Sequence, residues 1–246
     1  MVKGKGSMGK ILFFADVHGN MPAARALEKE IERIKPDDIW FLGDAVGKGP
    51  ENAQAVDWVR THSKHFVKGN WDDGICRDYT ERKWPDSVFF CNQLGEERIK
   101  WLESLPLEDE VLIGGWWFRL IHGRPVDRLY QAYDDWDELA MGFQSKISDR
   151  EYHGYICADS HMPYIRTCGL GYAINTGSVG NSLGLPRVHA VLIEGEIGSE
   201  EISPIRCEIL SIPYDNQAAA DAADKYPGFP HSDAWKKEVL TGVYSR

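Results

Sequence analysis

The sequence predicts a single α/β domain in which two sheets pack together, and three observations carry this. Apolar runs of strand length alternate with amphipathic, helix-length stretches through about the first seventy residues, the pattern of a parallel sheet with right-handed crossovers. Beyond about residue 108 the texture changes to short strands in close succession. No internal repeat, low-complexity tract or linker interrupts the chain, and 246 residues are enough for one substantial core without demanding two.

Taken in order, Ile11 to Ala15 is a continuous apolar run ending in "DVHGN", a buried strand running into a loop. Asn20 and Pro22 start a helix, Ala26, Leu27, Glu30, Ile31 and Ile34 follow at helical spacing, and Lys35-Pro36 ends it. Asp38 to Leu42 is a second strand, ending in "GDAVGKGP"; Pro50 opens a helix through about Thr61; "HFVKGN" is a third strand. The stretch from Asp72 to Glu108 reads as mainly helical and rich in aromatic residues. "EVLIGGWWFRLIHG" reads as two strands joined at Gly114-Gly115, with Trp116 and Trp117 on opposite faces so that at least one is core. "YDDWDE" reads as an exposed helix face with Trp136 and Leu139 turned inward. "GYICADSH", "YAINTGS", "RVHAVLIE" and "RCEILSIP" supply further strands. Residues 1–9 read as a flexible tail, 10–246 as the domain, and 214–246 as a C-terminal extension packing on the domain or on a partner.

A net charge of −10 argues against a protein that grips nucleic acid or anionic membrane, although a metal centre can make a local positive site on an acidic protein. The five cysteines are odd in number, scattered and without a CxxC, as expected for buried thiols in a reducing compartment. The first apolar run, "ILFFA", has only a strand's length, so neither a signal peptide nor a membrane span is expected and the cytoplasm is the default location. Oligomeric state is not legible.

In open α/β sheets, ligand groups gather beyond the carboxyl ends of the strands. Here those loops carry Asp16 and His18, then Asp44, then Asn70, and later His122, Asp159 and His161. Histidine and carboxylate donors suit manganese, iron or zinc. Two such ions roughly 4 Å apart can lower the pKa of a water and clamp a phosphoryl group during in-line attack. A lone DxHG or Gly-Asp pair is unspecific, and His18 or His122 alone would be read as a structural histidine. Five polar clusters, each after a predicted strand, are what point to a site.

In the order "DVHG", "GDAVGKGP", "GNWD", "IHGRP" and "ADSH", the chain resembles the calcineurin-like metallophosphoesterase superfamily. "GDAVGKGP" and "NTGSVGNSLGLPR" resemble its bacterial predicted-phosphodiesterase or diadenosine-tetraphosphatase-like branch. The resemblance implies a four-layer αββα sandwich and two divalent ions. It assigns one ion to Asp16, His18, Asp44 and His161, and the other to Asp44, Asn70 and His122, with Asp159 in the last place. Manganese is expected first, with iron, zinc or magnesium open. It further implies a small phosphate mono- or diester as substrate, hydroxide attack on phosphorus, and Asp44, Asn70, Asp72 and residue 71 as catalytic positions.

Two positions depart from the pattern. Asp159 stands where a histidine belongs: it either ligates, adding harder oxygen ligation that favours manganese or magnesium, or turns away and weakens the second site. Trp71 stands in place of another histidine, one that protonates the leaving oxygen or stabilises the transition state. Indole donates a hydrogen bond but shuttles no proton, and loss of a general acid costs on the order of 10²–10⁴ in rate. Trp71 either stacks on a substrate ring or fills a hole, and His62, His65 or His153 are the other proton sources open on sequence. Arg124, after "HG", is a candidate phosphate fork or a solvated arginine, and Asn175 with its "TGSVG" turn shapes a loop or binds an anion. The expected function is a phosphoester hydrolase restricted to good leaving groups. The alternatives are a weak or inactive protein that binds or senses a phosphate compound on the same fold, or a protein phosphatase.

Overall fold

The computed structural model describes residues 6–81, 83–123, 136–145 and 147–246. The first half of the chain alternates as expected: β1 (Ser7–Phe14), α1 (Met21–Ile34), β2 (Asp38–Phe41), α2 (Asn52–His62) and β3 (His65–Phe66). β1 pairs parallel with β2, and β2 with β3. Every side chain from Ile11 to Phe14 is at most 1% exposed. Leu12 and Phe14 face the helical layer and Ile11 and Phe13 face the other half of the molecule, which is why the run is apolar without alternation. α1 is capped by Asn20, whose side chain accepts from Ala23 N, and closes at a left-handed Lys35.

Helices α3 (Asn70–Glu81) and α4 (Ser87–Ser104) fill the middle of the chain, α4 being broken at Gly95. The hairpin of β4 (Glu108–Ile113) and β5 (Trp116–Ile121) turns at Gly114-Gly115. Both tryptophans are half-buried: Trp116 packs on the inner core, and the Arg150 guanidinium lies 3.6 Å from the Trp117 ring. Then come α5 (Trp136–Met141), β6 (Gly154–Cys157), β7 (Tyr164–Cys168), β8 (Gly171–Asn175), β9 (Val188–Ile197) and β10 (Arg206–Ile212). Leu139 is buried, as the sequence suggests, while the Trp136 side chain is outside the described set. β7 was not anticipated: it is an edge strand pairing only with β8, and its partly exposed residues lack an apolar signature.

Strand order is β3-β2-β1-β9-β4-β5-β6-β8-β7, with β10 on the other side of β9. β9 meets β4 through one residue pair, Ile113–Ile197. The expected two sheets are therefore halves of one mixed sheet folded at that corner. Between them lies an apolar layer from both halves, including Phe13, Leu42, Phe118, Ile156 and Ile193. A second cluster joins the first half to its helices, and a third covers the far face with Leu139 and Phe143.

Two boundaries differ from the sequence reading. β1 begins at Ser7, paired to Ile197 of β9, so residues 7–9 belong to the sheet rather than to a tail. The stretch 214–246 is integral to the helical layer: α6 (Asn216–Ala222) and α7 (Ser232–Thr241) pack together around Trp235, which is 0% exposed and donates Nε1–H to Ala219 O at 3.0 Å. Trp235→Ala is expected to cost about 3–5 kcal/mol, read as a lowered midpoint in chemical denaturation. An unchanged midpoint would mean that this segment is only an appendage.

Candidate metal centre

β1 delivers Asp16 and His18, β2 Asp44 and β3 Asn70, while β5 delivers His122 and β6 Asp159 and His161. The two halves of the sheet thus contribute opposite sides of one buried cluster in which every histidine and carboxylate is 0–4% exposed. Five of its residues, Asp16, His18, Asp44, Asp159 and His161, and the nearby Lys48 have positive φ between 48° and 62°. L-residues rarely adopt that conformation, and its concentration here marks backbone bent to aim side chains inward.

The histidines share one orientation. His18 Nδ1 bonds Val46 O at 2.8 Å, His122 Nδ1 bonds Leu42 O at 2.6 Å and His161 Nδ1 bonds Asn181 O at 2.6 Å. A carbonyl only accepts, so each Nδ1 carries its proton and each Nε2 is left to face the cluster. His18 Nε2 and His161 Nε2 stand 3.2 Å apart. Asp16 Oδ1 lies 3.6 Å from His18 Nε2, 3.5 Å from His161 Nε2 and 3.9 Å from His122 Nε2. Asp44 Oδ2 lies 3.6 Å from His18 Nε2 and 3.4 Å from His122 Nε2, Asn70 Oδ1 is 3.2 Å from His122 Nε2, and Asp159 Oδ1 is 3.7 Å from it.

This set fits two divalent ions. Both Asp16 oxygens are buried and accept no hydrogen bond, a costly state that a cation relieves. Two nitrogen lone pairs facing each other at 3.2 Å need the same relief. Asp16, His18 and His161 form one group able to hold an ion, and Asp16, Asp44 and His122 a second. Asp16 is common to both, and Asp44 also lies between histidines of the two groups. Asp159 is turned toward His122 rather than away.

Titration follows the same geometry. Burial, then His161, hold His18 well below the ordinary histidine value, and burial, then Lys48, do the same for His161, so both are neutral. Burial also opposes charge on His122, but the carboxylates of Asp44, Asp16 and Asp159 outweigh it and lift the imidazole well above its usual value. Burial raises Asp16 well above the carboxylate range, with the Asp44 and Asp159 charges adding to it against His122.

Asp72 does not face the cluster. Its carboxylate accepts from the amides of Asp44 (2.8 Å), Ala45 (3.0 Å) and Gly69 (3.1 Å), tying the β2 loop to the β3 loop. Burial, then the neighbouring Asp44 charge, push it up to about 7 against the pull of those amides. A catalytic position by resemblance, Asp72 instead positions Asp44. Gly69 is required by the same approach, since a Cβ there would stand 2.0 Å from Asp44 Oδ1.

The Trp71 amide donates to Asp44 Oδ1 at 2.8 Å, while its indole joins Phe90 and Trp84 (ring centroids 6.2 and 5.2 Å away) and stands edge-on to His18 at 6.0 Å. The ring fills the space above Gly47, where a Cβ would fall 2.2 Å from it. Filling a hole, of the two readings of Trp71, is therefore what this packing favours. His62 stacks on Trp58, His65 on Trp40 and His153 packs edge-on to Trp116, so none of the three stands at the cluster. Asn175 braces the β6 loop by donating to Ala158 O and Ser160 Oγ, and Ser178 Oγ and Gly180 N both donate to Asp16 O. Arg124 lies outside the described residues. Lys48 was passed over in the sequence; its place inside "GDAVGKGP" was the available signal.

The profile of the calcineurin-like phosphoesterase superfamily domain matches residues 10–196. The chain belongs to that superfamily. A metallophosphoesterase of Sphaerobacter thermophilus superposes with a TM-score of 0.73 over 96% of this chain and all of its own, at 23% identity, a likeness of fold. An uncharacterized protein of Methanocaldococcus jannaschii is 26% identical over 164 residues, 64% of either chain. The symmetrical bis(5'-nucleosyl)-tetraphosphatase of Pectobacterium atrosepticum is 29% identical over 102 residues, 37% of this chain and 36% of its own. The chain thus spans less than two thirds of the length of either curated relative. Among the described residues, no helix is long and apolar enough to cross a membrane.

Burial raises Asp16, and the neighbouring carboxylates raise His122 against burial, so both lean toward their protonated forms and metal binding is expected to release protons. Metal uptake is expected to weaken as pH falls, and calorimetry in two buffers of different ionisation enthalpy should show protons expelled on binding. Uptake independent of pH would contradict the charge states assigned to Asp16 and His122. Asp159→His is expected to raise zinc occupancy of the second position, and unchanged zinc stoichiometry by elemental analysis would remove Asp159 from the ligand set.

Proposed function

We propose that this superfamily member is a hydrolase of small phosphate mono- or diesters that works with two divalent ions, manganese foremost. The observation that carries the reading is the unsatisfied Asp16 carboxylate between the inward Nε2 atoms of three histidines. When bound, two ions supply an acidified water and a clamp on the phosphoryl oxygens. Asp16, His18, Asp44 and His161 would hold one ion; Asp44, Asn70, His122 and Asp159 would hold the other, with Asp16 also in reach of the second set. The chain's own part is to aim the three imidazole Nε2 atoms at the site, to fix Asp44 through Asp72, and to present the Asn70 amide to the phosphate. Arg124 is a further candidate phosphate contact. The oxygen-rich second set, with Asp159, favours manganese over zinc.

Trp71 stands beside Asn70 and cannot release a proton, so the reaction tilts toward esters whose leaving group is already a stable anion. The tetraphosphatase relative acts on a compound of that kind, since a departing phosphate needs little protonation. The composition and charge support a cytoplasmic protein with a small-molecule substrate. A protein that binds phosphate compounds without turnover is the second reading, and Trp71 in the acid's place is the observation behind it.

The test is hydrolysis of p-nitrophenyl phosphate and bis-p-nitrophenyl phosphate with added manganese, beside an Asp44→Asn control. Nitrophenolate departs without a proton, so only the metal centre is interrogated. Activity in the parent that falls on the order of 10²-fold or more in the control is the expected result. A folded, manganese-loaded parent no faster than the control would leave the binding reading.

A further inference from the structure

An ester of an ordinary alcohol needs a proton on its leaving oxygen, and among the described residues few groups at this site can provide one. The three Nε2 atoms face the ion positions, Asp72 is engaged by three amides, and the Trp71 indole keeps its proton. Lys48 remains. It sits in the loop between β2 and α2, 2% exposed and thus as enclosed as the metal-centre residues. Its Nζ is 5.9 Å from the centre of the Trp71 ring on one side and 6.0 Å from that of Tyr244 on another. Its charge reaches Asp16, Asp44, His18 and His161.

The loop is built to hold it there. Asn52 accepts from Gly47 N and donates to Gly49 O, Gly49 N donates to His18 O, and the Arg246 guanidinium donates to Lys48 O at 3.0 Å. Lys48 itself has φ of 56°, in the left-handed region shared by Asp16, His18 and Asp44. Arg246 is in turn held by the buried Glu238 at 3.2 Å.

We propose that Lys48 is a catalytic residue whose ε-ammonium bonds the leaving oxygen and gives it a proton, the part Trp71 cannot take. The inference rests on the phosphoesterase reading and extends it to less acidic leaving groups. As the bond from the incoming water oxygen to phosphorus forms, the bond from phosphorus to the leaving oxygen breaks and its electron pair stays on that oxygen. The oxygen takes a proton from Nζ, the amine regains one from solvent, and the proton lost by the water passes to solvent. Burial, then the Arg246 guanidinium, bring Lys48 down to about 8 against Glu238, Asp16 and Asp44. An ammonium weakened in this way yields its proton more readily than an exposed lysine.

The experiment compares parent, Lys48→Ala and Lys48→Arg on p-nitrophenyl, phenyl and alkyl phosphates with manganese, alongside bound-metal content and circular dichroism. Lys48→Ala should lose on the order of 10²–10⁴ on the alkyl ester and little on the nitrophenyl ester, with metal content unchanged. Added ethylammonium should restore part of the alkyl activity. Lys48→Arg keeps charge and length but holds its proton, so it should show the same selective loss and secures the test if the alanine variant does not fold. Equal loss on all three esters, loss of bound metal, or no loss would each overturn the role of Lys48. A parent inactive on the nitrophenyl ester would instead sink the hydrolase reading, and this inference with it.

Discussion

Confinement of like charges governs this molecule. Asp16, Asp44 and Asp159 lie with three imidazole nitrogens in a volume closed to solvent, and no arrangement of protein groups alone makes that comfortable. The upward shifts of His122 and Asp16 are one response to that repulsion, and divalent ions would relieve it better. Everything nearby resists relaxation. Carbonyls fix the imidazoles from behind, and Asp72 gathers the amides of two loops. Left-handed residues hold the chain in turns it would otherwise leave. The strain is local, and the broad apolar layers on each side of the sheet sustain it.

Much of this is written in the sequence, and the reason is periodicity. The run Ile11 to Phe14 is apolar at every position because both faces of β1 are covered, so the strand and the loop that follows it can be located together. The same logic places Asp44 after β2 and His122 after β5. Where a strand lies at an edge the signal fades: Tyr164–Cys168 has one neighbour, is partly exposed and shows no usable pattern. Residues whose role depends on tertiary approach were also hidden. Asp72 reads like a catalytic acid, yet two of its three amide partners belong to residues far away in the chain.

Trp71 and Gly47 illustrate the same limit from the other side. Sequence shows that an indole replaces an imidazole, but only the fold shows that the indole rests on a position with no side chain. The replacement and the glycine are one packing solution. Lys48, the next residue, is similarly unreadable alone, because a lysine in a glycine-rich loop is by default solvated. Its burial follows from a segment some two hundred residues later, which brings Tyr244 and Arg246 against it.

The corner at Ile113–Ile197 has a meaning of its own. One residue pair links β9 to β4, while the donors divide between the half-sheets on either side, Asp16, His18, Asp44 and Asn70 against His122, Asp159 and His161. A bound pair of ions is then a clasp across the open edge of a folded sheet. Filling the site and setting the two layers against each other would then be one mechanical event.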